Sequence, residues 1–266
     1  MKFNMEVKVF IATHKKANLP QDNNLYIPIQ VGAENKEDIG YLKDNTGNNI
    51  SYKNPNYCEL TALYWIWKNC DVNIIGLVHY RRYFFKTSFS KNFKNLLLKK
   101  DIENLIDKYD IILPKKEYIV KYNLKKQWYK IHNQKDLEIC KDIIKEKYPD
   151  YIKSFDDVFK KHSFYAFNMF IAKKEIINNY CKWLFDILFE VEKRVDISTY
   201  DKYNQRLFGF LSERLFNVWL TKNNQIIIKQ ENVFQTDENL IKQKITYYIK
   251  KILVKFIEIF DFIKKK

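Results

Sequence analysis

The chain of 266 residues carries 47 Lys and Arg against 32 Asp and Glu, a formal charge of +15. Its 46% hydrophobic and 17% aromatic content excludes a disordered protein and suits one large α/β domain or two small ones. The positive excess favours an anionic partner: a nucleotide, an acidic lipid surface or nucleic acid. Cys58, Cys70, Cys140 and Cys181 show no CxxC and no regular spacing, which fits buried thiols in a reducing, cytoplasmic setting better than a disulfide framework. The first residues have no signal-peptide pattern, and no run reaches the roughly 18 apolar residues that a membrane span needs.

In chain order, Val7 to Ala12 is a strand candidate that ends in Thr13-His14-Lys15-Lys16. A first strand feeding small, polar and basic residues is a common entrance to a nucleotide pocket, although no GxGxxG or Walker-type glycine loop follows. Tyr26 to Gly32 is a second short strand that Pro28 keeps from a central position. The polar loop at 33–56 holds Asp44, Asn45 and Asn49, which are either ligand contacts or turn residues bonding their own backbone. A helix at 55–69 starts with Asn56 as N-cap and Glu59 completing a capping box, which brings Glu59 toward the ligand-facing edge of the sheet. The apolar run Ile74 to Val78 reads as an inner strand, and it leads directly into His79-Tyr80-Arg81-Arg82-Tyr83-Phe84-Phe85. Ligands bind beyond the carboxyl ends of such strands. Two adjacent guanidiniums there either pair with the protein's own carboxylates or hold a phosphate or developing negative charge.

Further along, 95–109 is a helix and Asp110 to Pro114 another strand. Residues 115–135 interleave aromatic and basic side chains, including Trp128 and Tyr129, in a way that suits a sugar or nucleic-acid surface. Helices at 136–148 and 151–161 precede a strand at 163–172 that Asn168 interrupts; an amide in such apolar company bonds to substrate or to backbone. Lys174 to Arg194 is one long helix, and a further helix carries Arg206, Phe210 and Glu213 at spacings of four and three, with Asp201 upstream. A carboxylate in so apolar a run is ion-paired or functional. A final strand at 226–228 closes a domain spanning 1–228. A linker and a basic amphipathic helix fill 229–266, and that helix lies on an anionic membrane surface or docks on its own domain.

No zinc pattern, no Gly-x-Ser-x-Gly elbow and no Asp-x-Asp pair on a strand end is present. Ala12-Thr13-His14, Asn56-Tyr57-Cys58-Glu59-Leu60-Thr61, Gly76-Leu77-Val78-His79-Tyr80-Arg81-Arg82-Tyr83-Phe84, Asn168-Met169-Phe170 and Phe208 to Arg214 together resemble a bacterial family. It is named only as a domain of unknown function and is found among capsule and lipopolysaccharide synthesis genes. The resemblance runs from about residue 7 to about residue 225.

That resemblance implies an α/β, GT-A-like domain with a mostly parallel central sheet flanked by helices. The implied activity is glycosyl transfer, including galactofuranosyl transfer from a UDP-sugar, onto a surface polysaccharide or lipid-linked glycan; the basic terminal helix, outside the resemblance, would set it on the inner face of the plasma membrane. Glu213 is the first candidate for general base, then Asp201 and Glu59, with His79 also in the catalytic group. Thr13, His14, Arg81, Arg82, Tyr83, Asp44, Asn45, Asn49 and Glu59 would face the donor, and Asn168, Trp128 and Tyr129 the acceptor. The His79-Tyr80-Arg81-Arg82 block stands roughly where GT-A enzymes place their metal-binding Asp-x-Asp. The favoured expectation is therefore guanidinium stabilisation of the UDP leaving group with no metal site and no prosthetic group, over the Mn or Mg route. The contrasting class is a non-catalytic binder of an anionic glycan or nucleic acid, and the absence of a nucleic-acid motif behind the charge argues against the latter.

Overall fold

The computed structural model describes residues 5–34, 36–87 and 89–263. The chain opens with strands β1 (Val7–Thr13), β2 (Tyr26–Gln30) and β3 (Leu42–Lys43), then α1 (Asn54–Tyr57) and α2 (Leu60–Asn69). Next come β4 (Ile74–His79), β5 (Arg82–Phe85), α3 (Lys99–Ile106), β6 (Ile111–Pro114) and β7 (Glu117–Tyr118). Helices α4 (Leu124–Ile131), α5 (Gln134–Lys147) and α6 (Ile152–Phe159) lead to β8 (Ser163–Phe164) and β9 (Phe170–Lys173). The remainder is α7 (Lys174–Arg194), α8 (Leu207–Lys222), β10 (Ile228–Gln235) and α9 (Leu240–Ile263).

Alternation along the strands supplies two cores, because successive side chains point to opposite faces. From β1, Phe10 and Ala12 enter the larger core with Leu63 and Ile66 of α2, Leu184 and Leu188 of α7, and Leu211 and Leu215 of α8. Val7, Val9 and Ile11 enter the smaller one with Ile102 and Ile106 of α3. Each of the larger ones, Val, Leu, Ile or Phe, contributes about 1.5–3 kcal/mol when fully buried.

The sheet corrects the expectation of an open, mostly parallel GT-A-like arrangement. Its order is β3-β2-β1-β4-β5-β10-β6-β9, and an additional β4–β9 pairing closes β4, β5, β10, β6 and β9 into a five-stranded mixed barrel. The pairs β1–β2, β1–β4, β2–β3 and β6–β10 are parallel, whereas β4–β5, β4–β9, β5–β10 and β6–β9 are antiparallel. The apolar runs of β4, β6 and β9 are buried whichever way they pair, so composition does not give their direction. The stretch at 229–239, read as linker, supplies most of β10. Its sequence Ile-Lys-Gln-Glu-Asn-Val-Phe-Gln has no apolar run to announce a strand. The helix expected at 55–69 is broken at Cys58, whose φ of 53° separates α1 from α2, and the Asn56–Glu59 capping box does not form.

The terminal helix corrects the membrane-surface partner. Among the described residues no helix is long and apolar enough to cross a membrane. Instead of being free to lie on a lipid surface, α9 is fastened to its own domain. Gln243 donates to the Gln235 carbonyl at 3.0 Å and accepts from the Gln235 N–H at 3.1 Å. The Tyr247 ring meets Tyr118 edge-on at 5.7 Å, and Val254 is fully buried. Lys264, Lys265 and Lys266, which add to the positive charge of the tail, lie outside the described residues.

Candidate functional site

Parallel pairing of β3, β2, β1 and β4 brings their carboxyl ends to one edge of the sheet. Helix α2 precedes β4, so Glu59, just ahead of its first turn, returns to that edge. Strand β9 begins there too, since Phe170 pairs with Leu77. His79 sits where β4 changes partner: up to Leu77 it lies against β9, and at His79 against Arg82 of β5. Into that opening comes the turn before β9.

The floor of the site is this turn. Phe167 and Asn168 are consecutive non-glycine residues with φ of 74° and 49°. Left-handed backbone costs about 1–2 kcal/mol per residue, so the surroundings must hold it. His79 Nε2 donates to the Phe167 carbonyl at 2.6 Å, and the Phe167 N–H donates to Glu213 Oε1 at 2.9 Å. Asn168 Nδ2 donates to Glu59 Oε1 at 2.6 Å, while Ser212 Oγ donates to Asn168 Oδ1 at 3.0 Å. Glu213 Oε2 takes a 2.8 Å bond from Arg214 Nη1, whose side chain is only 6% exposed. Helix α8 approaches closely because Gly209 has no side chain: a Cβ there would stand 3.2 Å from Cys58 Sγ.

Burial holds the His79 imidazole below its ordinary pKa, against the pull of Glu59 and the Phe167 carbonyl and with help from Arg82 and Arg81. A neutral ring with its proton on Nε2 fits the bond to the carbonyl. Burial also lifts the Glu213 carboxyl above the usual carboxylate range, against the opposing pull of Arg214.

The rim is cationic. Around the Tyr80 ring stand the His14 ring at 5.4 Å, Lys15 Nζ at 5.3 Å and the Arg81 guanidinium at 5.5 Å. The Arg82 guanidinium lies 4.7 Å over the Phe167 ring and donates to Gln235 Oε1 at 2.6 Å, a neutral partner. Arg81 meets Asp237 at 3.3 Å with both side chains well exposed, a contact that solvent screens. Burial and the positive charges of Lys15, Lys36 and Arg81 keep the His14 pKa below its ordinary value. Buried or half-buried cations without matching carboxylates attract an anion.

The structure thus brings together His14, His79, Arg81, Arg82, Glu59, Asn168 and Glu213. Thr13 adjoins them, but its hydroxyl donates to the Lys15 carbonyl at 2.6 Å and shapes the turn. Tyr83 is fully buried and donates to the Tyr80 carbonyl. Asp44 is buried and ties two loops together, accepting from Gly32 N–H, Ala33 N–H and the Ser51 hydroxyl. Asn49 bonds within its own turn, to Gly47 and Ser51, and Asn45 is half-buried in the same loop. Asp201 closes an exposed turn by accepting from Tyr203 and Asn204. Trp128 is fully buried with its indole N–H on the Asn133 carbonyl, and Tyr129 donates to Glu138 on the surface. Lys15, Tyr80, Phe167 and Gln235 belong to the site and were not picked out from sequence. The break at Asn168 in an apolar run was the available signal for Phe167.

A cavity of about 650 Å3 opens beside the site and shares Arg82 and Phe167 with it. Among the described residues no group of three or more His, Cys, Asp or Glu side chains is placed to hold a metal ion.

Residues 8–225 match the sequence profile of the family described as Domain of unknown function (DUF4422). No curated protein matches the chain. Among solved structures, the chain is similar to the apo structure of the WbbM bifunctional glycosyltransferase, at 29% identity and a TM-score of 0.80. The likeness covers 88% of this chain and 46% of that one, so the chain spans about half the length of that relative.

Proposed function

Because the chain belongs to the DUF4422 family, whose description states no activity, we propose one from the site: glycosyl transfer from a UDP-sugar to a hydroxyl of a growing glycan, with inversion. The likeness to a bifunctional glycosyltransferase supports the reaction class, and the family resemblance suggests a hexosyl donor such as galactofuranosyl. The observation that carries the reading is the cationic rim of Arg81, Arg82 and Lys15, with the His14 ring beside it, at the carboxyl ends of parallel strands. In transfer, the bond from the sugar carbon to the UDP oxygen breaks and the acceptor oxygen takes its place. Negative charge then develops on the diphosphate, where the two guanidiniums stabilise it.

Glu59 is the proposed base. One of its oxygens is held by Asn168, which orients the other. Both oxygens of Glu213 are engaged, by Phe167 N–H and Arg214, so we give Glu213 a positioning role. The four free thiols fit a reducing, cytoplasmic compartment, where nucleotide sugars serve as donors.

Calorimetric titration with UDP tests this. Binding is expected in EDTA, with about a hundredfold loss in an R81A/R82A variant, the equivalent of two lost charge-assisted bonds. Glu59→Gln should bind UDP normally and fail to transfer. Binding that needs manganese, or a short RNA that binds more tightly than UDP, would overturn the reading.

A further inference from the structure

The 650 Å3 cavity lies between α9 and the strands β5, β10 and β6, and its size is that of an ordinary small-molecule site. Arg82, Lys115, Lys242, Lys244 and Lys250 line it against only two carboxylates, Glu117 and Glu238. Lys115 is held by a neutral amide, donating to Asn232 Oδ1 at 2.7 Å, and Lys244 stands 4.5 Å over the Phe89 ring. Neither contact neutralises a charge. Burial raises the Glu117 carboxyl, the direction in which the wall loses negative charge. Pro114, Val233, Phe234 and Tyr247 provide apolar surface beside the lysines.

The cavity is not the donor site. His14, Lys15, Tyr80 and Arg81 are absent from its lining, yet Arg82 and Phe167 form a wall of both. A ligand seated there would lie against the same Arg82 and Phe167 side chains that border the proposed donor site. On the premise of the proposed glycosyl transfer, we infer that the cavity is the acceptor subsite and that the acceptor carries a phosphate group. The lysines meet that phosphate, the apolar strip meets the carbon skeleton next to it, and Arg82 marks the seam with the donor. The phosphate belongs either to a sugar phosphate or to a longer phosphorylated amphiphile; the cationic wall recognises the group common to both.

The experiment uses the full chain saturated with UDP. Glucose 1-phosphate and octyl phosphate are titrated separately, with octyl glucoside as the uncharged control. At least one phosphate probe should bind at one further site per chain, tenfold or more above octyl glucoside, and weaken as salt rises. If glucose 1-phosphate is the better ligand the source is a sugar phosphate; if octyl phosphate is, the source is an amphiphile. A K115A/K250A variant should lose about tenfold in phosphate affinity and keep its UDP affinity. K242A/K244A, altered on the helix alone, provides the same test should the first variant fail to fold. Equal binding of octyl glucoside, phosphate binding unchanged in both variants, or displacement of UDP by the phosphate probes would overturn the inference. Absence of UDP binding would instead count against the donor assignment, and phosphate binding to the UDP-free chain would then still report on the cavity.

Discussion

The floor and the rim of the site lie side by side and are built on opposite principles. In the floor, the peptide groups of Phe167 and the side chain of Asn168 are tied by His79, Glu59, Ser212 and Glu213, which come from separate parts of the chain. A costly backbone conformation persists because its surroundings over-determine it. In the rim, Arg82 rests on an aromatic ring and an amide, and Arg81 on one exposed carboxylate. The floor residues are bonded to one another across the fold, whereas the rim guanidiniums bond to no buried carboxylate. On the proposed reading, the floor fixes the geometry and the rim supplies the charge that meets the diphosphate.

Three measurements would break or sharpen that contrast. The largest effect is expected in the floor. Glu213→Gln keeps an acceptor for the Phe167 N–H but strands the buried Arg214 charge, and should cost about 3 kcal/mol in urea unfolding. A loss below about 1 kcal/mol would mean the ion pair does not secure the turn.

The second effect is a pH dependence. Burial holds His79 below its ordinary value of 6.5, so the folded protein favours the neutral ring while the unfolded chain takes up a proton near that value. The stability due to this preference is complete above pH 6.5 and is lost as the pH falls through the folded pKa. His14 and His132 are shifted the same way and contribute to the same decline. Urea midpoints compared at pH 7.5 and 5.5 should therefore drop in the wild-type protein and drop less in His79→Gln. An equal drop in both would show that the imidazole's neutrality is not part of what the floor maintains.

The smallest effect belongs to the rim. Asp237→Asn removes an exposed partner of Arg81, so stability should change by no more than about 0.5 kcal/mol. UDP affinity should rise by about twofold as the guanidinium is released. A marked loss of stability would mean that the rim is structurally committed as the floor is.

Much of this was legible in the amino-acid order, because some signals are local. Val7 to Thr13 and Ile74 to His79 are strands whatever they pair with, since their apolar side chains fill a core on each face. The step from such a strand into His79, Tyr80, Arg81 and Arg82 places cations at a carboxyl end, and pattern alone is enough to say so. Long amphipathic helices such as α7 declare themselves by period. What only the tertiary structure decided depends on partners distant in the chain. Strand direction follows from crossovers, so the barrel closed by β4 and β9 could not be read from apolar runs that are buried either way. The polar β10 is a strand because β5 and β6 flank it. Glu213 reads as a candidate base until Arg214 and a peptide N–H some 46 residues away take its two oxygens. Trp128 reads as a stacking platform until burial closes both its faces. Residue type sets what a side chain is able to do, and long-range packing determines how much of that capacity remains for a ligand.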